Sequence, residues 1–530
     1  MISHRCRVAS TALLLSFALA RCTASARPDD VVVLASGADL ESANPLVTTH
    51  PLSRQVQRFV LFVTLMRYDS ALTPQPYYAR RWAWSDSGRT LTLALLPGLR
   101  WHDGAPSTAA DAAFTLLAAR DPATGFPRAS ELASLDTALA TDDTTLVLRF
   151  RAPPPALPPL LVELPIVPRH LLDNGPRSRM RSLPFNDVPV GNGPFRFTGR
   201  RPGARWSFAR NDAFPAALGG PPKLRGVVVA VVDEATTKFA GLTSGELDMA
   251  GISPSMAKLA SQDLTLRVVS YPVLFGTALF FNTTRPPFDD PRVRRAIARS
   301  IDRSRIVDVA LAGFGRPSSS PVPPESPLAW TPPVQRNVAE ADSLLDAAGW
   351  FRGPRGVRSK GGRILDVELL SVGSGDNVVE QLVQADLMAR GFVLRVRQTE
   401  MGTFLTTARG TDKRFDMLLA GIPGNLSLSY LSAMFASSQR GGTLDYTGYH
   451  APALDALLAT AANAAAGDSS RAAWMRVQQA LDTLVPATWL YHSRGVQGIS
   501  QRLHNVTMDL RGELVTVHDW TLTPRATVGP

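Results

Sequence analysis

Cysteine is nearly absent. The 530-residue chain holds two, Cys6 and Cys22, so everything after residue 22 lacks a disulfide and must rest on its apolar core. Lysine is scarce as well: Lys223, Lys238, Lys258, Lys360 and Lys413 are the five among 56 basic residues. The net charge of +11 is therefore arginine charge, and it is dispersed. No block of like charges forms the clustered stripe that phosphate tracking requires, so nucleic acid is not an expected partner. Beyond the N-terminus no apolar run is long enough to span a bilayer. Catalytic signatures are missing too. There is no G-x-S-x-G, Walker loop, H-E-x-x-H or G-x-G-x-x-G in a strand–helix setting. The eight histidines never pair at i, i+4, which argues against a local zinc site. A serine triad stays open, because its members lie far apart in sequence.

What is present begins with an export signal. Arg5 and Arg7 precede the apolar run Val8–Ala20, the pattern of a secretory signal peptide. Two cleavage sites compete. "LARC", Leu19 to Cys22, resembles a lipobox with Cys22 as the lipidated residue, although Arg21 stands where a small residue is usual. "ASA", Ala24 to Ala26, suits ordinary signal peptidase, and soluble export is preferred. Hydrophobic content of 45% and charged content of 19% describe a globular chain. Its length calls for two or three domains.

Local patterns alternate between strand and helix. "LRWHDGAPSTAADAAF", Leu99 to Phe114, follows an alternating strand through Leu91, Leu93 and Leu95. Asp103-Gly104 is a turn dipeptide, and Thr108 with Asp111 forms a T-x-x-D capping pair. His102 and Asp103 thus read as scaffold rather than as half a catalytic site. The apolar spacing of Val56, Phe59, Val60, Val63 and Leu65 predicts a helix. "LRGVVVAVV" reads as a strand buried on both faces. Helices are expected to stop near Gly245 and Gly349. "DDPRVRRAIARSIDRSRIVDVAL" reads as one long amphipathic helix or a pair. "ILDVELLSVG", "FVLRVRQTE" and "FDMLLAG" read as strands alternating with helices, a second α/β unit. The adjacent carboxylates Asp29-Asp30 and Asp289-Asp290 read as solvated loops.

The order of several motifs is informative. "LMRYDSAL", "RRWAWSDSGRTLTLALLPGLRWHDGAPSTAADAAF", "VPVGNGPFRF", "LTSGELDMA", "FNTTRPPFDDPRVRRAIARSIDR", "ADSLLDAAGW" and "DYTGYHAPALDALLATA" follow one another as in the extracytoplasmic solute-binding proteins of ABC importers, the family with peptide- and nickel-binding members. The chain resembles that family over nearly its whole mature length.

The resemblance implies an α/β, two-lobed periplasmic-binding-protein fold of type II, with an inserted side domain and a ligand cleft between lobes. Expected boundaries are 1–26 for the signal peptide, 27–71, 188–274 and 490–530 for the first lobe, 72–187 for the side domain, and 275–489 for the second lobe. It implies a periplasmic binding subunit that closes on a peptide-like or other small organic solute. Its partner would be an ABC permease in the inner membrane. The protein is expected to be a monomer, without cofactor or metal, and not an enzyme. An exported hydrolase, or a sensory or metal-complex receptor on the same fold, remain the alternatives; for the latter, His450 and His492 are expected to be able to approach one another.

Cleft residues are carried over by position. "LESANPL" nominates Glu41, Ser42 and Asn44. "TEMGTFLTTARG" nominates Met401, at an aromatic position, and Arg409. "TWLYHS" nominates Tyr491. Peptide-binding members carry an aspartate for the ligand's ammonium after an F-D-x-x-x-x-G-W strand. Here "FDMLLAGIPGNLSLSYL" places Ile422 at the tryptophan and Gly424-Asn425 at the acidic site. An amide hydrogen-bonds an ammonium but does not neutralise it. A neutral or anionic ligand, or a peptide with a blocked amino end, is therefore favoured.

Overall fold

The computed structural model describes residues 27–48, 50–154, 156–373, 377–465 and 467–525. The expected signal peptide, both cleavage sites and Cys22 lie outside the described residues. Among those described, no helix is long and apolar enough to cross a membrane.

The chain opens with β1 (Val31–Ser36) and α1 (Pro51–Val56). Four antiparallel strands follow, β2 (Ala79–Ser85), β3 (Thr90–Leu95), β4 (Leu135–Ala140) and β5 (Thr145–Phe150), with α2 (Ala109–Arg120) between β3 and β4. They form their own sheet in the order β2-β3-β5-β4. Next come β6 (Phe195–Arg201), β7 (Arg205–Arg210), β8 (Gly226–Val231), α3 (Ala235–Thr243), β9 (Met249–Gly251) and α4 (Pro254–Ala260). The long strand β10 (Leu266–Phe281) leads into α5 (Pro291–Ser300), α6 (Arg303–Ala310) and α7 (Val338–Ala347). Then β11 (Asp366–Val372), α8 (Val378–Met388), β12 (Val393–Thr399), α9 (Met401–Arg409) and β13 (Met417–Pro423) alternate. Three helices, α10 (Ser429–Phe435), α11 (Pro452–Ala462) and α12 (Asp468–Leu484), precede the second long strand, β14 (Ala487–Ser500).

The main sheet runs β12-β11-β13-β10-β14-β9-β1-β8-β7-β6, with a short eleventh strand, Gly315–Pro317, on β14. Its two ends are different units, and only β10 and β14 belong to both. From Leu266 to Pro272, β10 faces Ser500 to Arg494; from Gly276 to Phe280 it faces His492 to Ala487. Between those ladders Val273, Leu274 and Phe275 face the single residue Ser493. That mismatch releases ladder hydrogen bonds and lets the strands bend. Beside it, a methyl group on Gly495 would lie 2.1 Å from the Tyr271 ring, so only glycine lets that ring lie flat across the neighbouring strand.

Each end of the sheet is covered on both faces. In the second unit, α5 to α8 pack one face around Phe281, Ile297 and Leu369. Helices α9 to α12 pack the other around Phe280, Leu418 and Trp489. The first unit packs α3 and α4 on one face, and α1 with the four-stranded sheet on the other, in one continuous core.

Local chemistry sets many of these bounds. Thr108 and Asp111 form the expected capping box on α2. Gly245 and Gly349 adopt φ of +76° and +84° just past α3 and α7, where a left-handed residue ends a helix. The 291–310 segment is a helix pair, capped by Asp290 and Asp302. One expectation changes. The segment through Leu65 is not one helix: α1 gives way to a π-turn, Gln57–Leu61, and then to extended chain. The competing partner is the "VPVGNGP" loop. Gly193 donates to the Leu61 carbonyl at 2.9 Å, and Asn192 accepts from the Val63 amide at 2.9 Å. Tertiary hydrogen bonds thus override the helical spacing.

Candidate functional site

In an open α/β sheet, ligands bind beyond the carboxyl ends of parallel strands. Here β1 is parallel to β8 and β9, and β11 is parallel to β12 and β13. The loops after β1, β12 and β13 are therefore the loops to inspect, and most nominated residues lie on them.

After β1, Glu41 is exposed, and its carboxylate accepts from the Thr48 hydroxyl. Ser42 and Asn44 come together but face inward. Ser42 Oγ accepts from the Asn44 amide at 3.0 Å. Asn44 is fully buried; its Nδ2 donates to Asn186 Oδ1 and its Oδ1 accepts from Leu46 N, both at 3.0 Å. That amide shapes the loop. After β12, Met401 opens α9 and is 51% exposed, so it does not serve as core. Arg409 is exposed in the last turn of the same helix, about 12 Å along the axis from Met401.

After β13, Gly424 donates to the Leu274 carbonyl at 2.8 Å, which ties this loop to the mismatch in β10. Asn425 spends its amide locally. Its Nδ2 donates to Ser429 Oγ at 2.8 Å, and its Oδ1 accepts from Ser427 Oγ and Ser429 N, each at 3.1 Å. It holds the entry to α10 and carries no charge. Tyr491 is buried in the core among Leu279, Phe281 and α8. Desolvation there raises its hydroxyl above the usual tyrosine range. Among the described residues, no hydrogen bond or ion pair joins the 41–48 loop, α9, the 424–429 loop and Tyr491 to one another.

Two features at this edge carry no local sequence signal. Phe275 is 39% exposed at the mismatch and lies over Gly421. Glu513 meets Tyr271 Oη at 3.0 Å and Gln497 Nε2 at 2.7 Å. Gln497 is paired with Gly251 at the end of β9, and its Oε1 is buried without a partner. Burial holds the Glu513 carboxyl above the usual carboxylate range. Residues 271, 497 and 513 meet only through the fold.

His102 and Asp103 lie elsewhere and are separately engaged. The His102 Nε2–H donates to the Gly193 carbonyl at 3.1 Å, and desolvation lowers its pKa to about 4. Asp103 meets His170 Nε2 at 2.8 Å. His450 lies 3.5 Å from Asp445, whereas His492 donates to the Ser320 carbonyl at 3.0 Å. No cluster of three or more histidine, cysteine, aspartate or glutamate side chains among the described residues suits a metal ion.

Residues 73–442 match the model of bacterial extracellular solute-binding proteins, family 5, middle part. The chain is 28% identical over 440 residues to Protein XP55 of Streptomyces lividans, covering 82% of this chain and 78% of that one. It is 24% identical over 495 residues to the oligopeptide-binding protein AppA of Bacillus subtilis, covering 90% and 89%. Among solved structures, NikZ of Campylobacter jejuni in complex with Ni(L-His) superposes with a TM-score of 0.77 at 21% identity, covering 93% of this chain and all of that one.

Proposed function

The chain belongs to the bacterial extracellular solute-binding proteins of family 5, and from that premise we propose how it takes its solute. The protein is an extracytoplasmic binding subunit of an ABC importer, which captures a small solute for a membrane permease. In our reading the units either side of the β10–β14 crossing are two lobes. The first comprises 27–71, 188–274 and 490–530, the second 275–489, and 72–187 is a side domain. They close on the solute by bending where three residues of β10 face one of β14; that observation carries the reading. A strand pair shared by two separately packed units moves them as bodies, and a solute touching both shifts the balance toward closure. No bond is made or broken. The protein is exported through its N-terminal segment and works as a monomer.

The solute class follows from charge. AppA is an oligopeptide-binding protein by name, and a peptide-like solute suits a crevice edged by Phe275, Met401 and backbone. The 423–431 loop, "PGNLSLSYL", contains no acid, and the Asn425 amide is spent on Ser427 and Ser429. The favoured solute therefore presents a neutral or anionic end, such as a blocked amino terminus, to this loop. An aspartate at 425 keeps the acceptor for the Ser429 amide and adds charge. Asn425→Asp is expected to raise affinity for free-amino peptides over their acetylated forms by about tenfold, the value of a half-exposed ion pair of roughly 1.4 kcal/mol. Calorimetric titration of matched peptide pairs reads this, and an unchanged preference removes position 425 from the site.

A further inference from the structure

A cavity of about 570 Å³ lies outside the crevice, and no residue between 275 and 490 lines it. Its walls come mainly from the π-turn after α1, the 64–77 segment, and the chain between Arg511 and Asp519. The "LMRYDSAL" motif contributes Arg67, Tyr68, Asp69 and Ser70. Closure of the lobes is not needed to form it.

Its ionic groups fall into two sets. Asp69 is satisfied by Ala71 N, Thr73 N and Gln75 Nε2, each at 2.9 Å. Arg511 is held by Asp509 at 2.6 Å and by the Tyr68 carbonyl at 3.1 Å. His518 lies between the Gly220 carbonyl at 2.7 Å and Asp519 at 3.1 Å. Arg58 and Arg67 have no hydrogen bond or ion pair among the described residues. They rest instead on aromatic faces, Arg58 5.0 Å above Phe59 and Arg67 5.4 Å above Tyr77. Burial lowers the Arg58 pKa to about 10. A partly desolvated guanidinium with free donors gains most from a carboxylate, which it binds through two parallel N–H groups. The rings beside it offer stacking surface, and the volume lies in the range of small-molecule sites.

We propose that this cavity is a second small-molecule site, separate from the crevice between the lobes, that takes an aromatic carboxylate on Arg58 and Arg67. Benzoate is the probe. Calorimetry is expected to show benzoate binding to the wild-type protein, with neutral benzamide about tenfold weaker for want of the ionic partner. Arg58→Gln and Arg67→Gln should each weaken benzoate about tenfold, since each removes one charged donor set. The chain has eight tyrosines, so 3-fluorotyrosine labelling gives few resonances. The one assigned to Tyr77 by a Tyr77→Phe spectrum should move when benzoate is added to wild-type protein, a readout that needs no arginine variant to fold. Three results overturn the proposal: no benzoate binding up to millimolar concentration, equal affinity for benzamide, or a Tyr77 resonance that stays still while benzoate binds.

Discussion

His102 and His492 are held neutral by burial, each with a pKa lowered to about 4. Their Nε2–H groups donate to backbone carbonyls, and each Nδ1 is buried without a partner. In the unfolded chain both titrate near 6.5. Between pH 6.5 and 4 the unfolded state therefore binds more protons, and stability falls as pH falls through that window. The loss is on the order of 1–3 kcal/mol for each histidine by pH 4. Melting temperatures from pH 7 to 4.5 should drop steeply in the wild type and less steeply in His492→Gln, whose amide still donates to Ser320. Parallel profiles would show that His492 is not the titrating group. The structural role of His102 was legible in the sequence, because a turn dipeptide and a capping pair enclose it. The role of Asn44 was not: its partner Asn186 is distant in the chain, and the same loop that exposes Glu41 buries its amide.

Helix α2 shows what a short motif contributes once packed. Thr108 and Asp111 cap it, as their spacing predicts. The fold adds more, since the buried Asp111 carboxylate also accepts from Trp101 Nε1 at 3.3 Å and from the Arg169 amide at 2.8 Å. Thr108→Ala should cost about 1 kcal/mol in urea denaturation, a typical cap loss. Asp111→Ala should cost about 3 kcal/mol, because it strands several buried donors. Equal costs would mean that Asp111 acts only as a cap. Elements whose signals are local, such as caps, glycine stops and alternating strands, were readable in advance. The π-turn after α1 was not, because Gly193, which donates to its Leu61 carbonyl, and Asn192, which accepts from the Val63 amide just beyond it, arrive some 130 residues later. The Glu513, Tyr271 and Gln497 contact was hidden for the same reason.

At the scale of the whole molecule, two well-packed units meet through two strands. Each unit has its own apolar core, and no cysteine after residue 22 locks one to the other. In the closure we propose, the lobes move as packed bodies and the bend falls at the register mismatch of Val273–Phe275. The order of motifs made this architecture legible, whereas the solute's identity depends on loops assembled from distant segments. The most direct test is small-angle X-ray scattering on protein stripped of solute and then reloaded with the solute recovered from natively purified material, identified by mass spectrometry. The radius of gyration should fall on loading and recover on stripping. A solute that binds stoichiometrically and leaves the scattering curve unchanged would contradict closure.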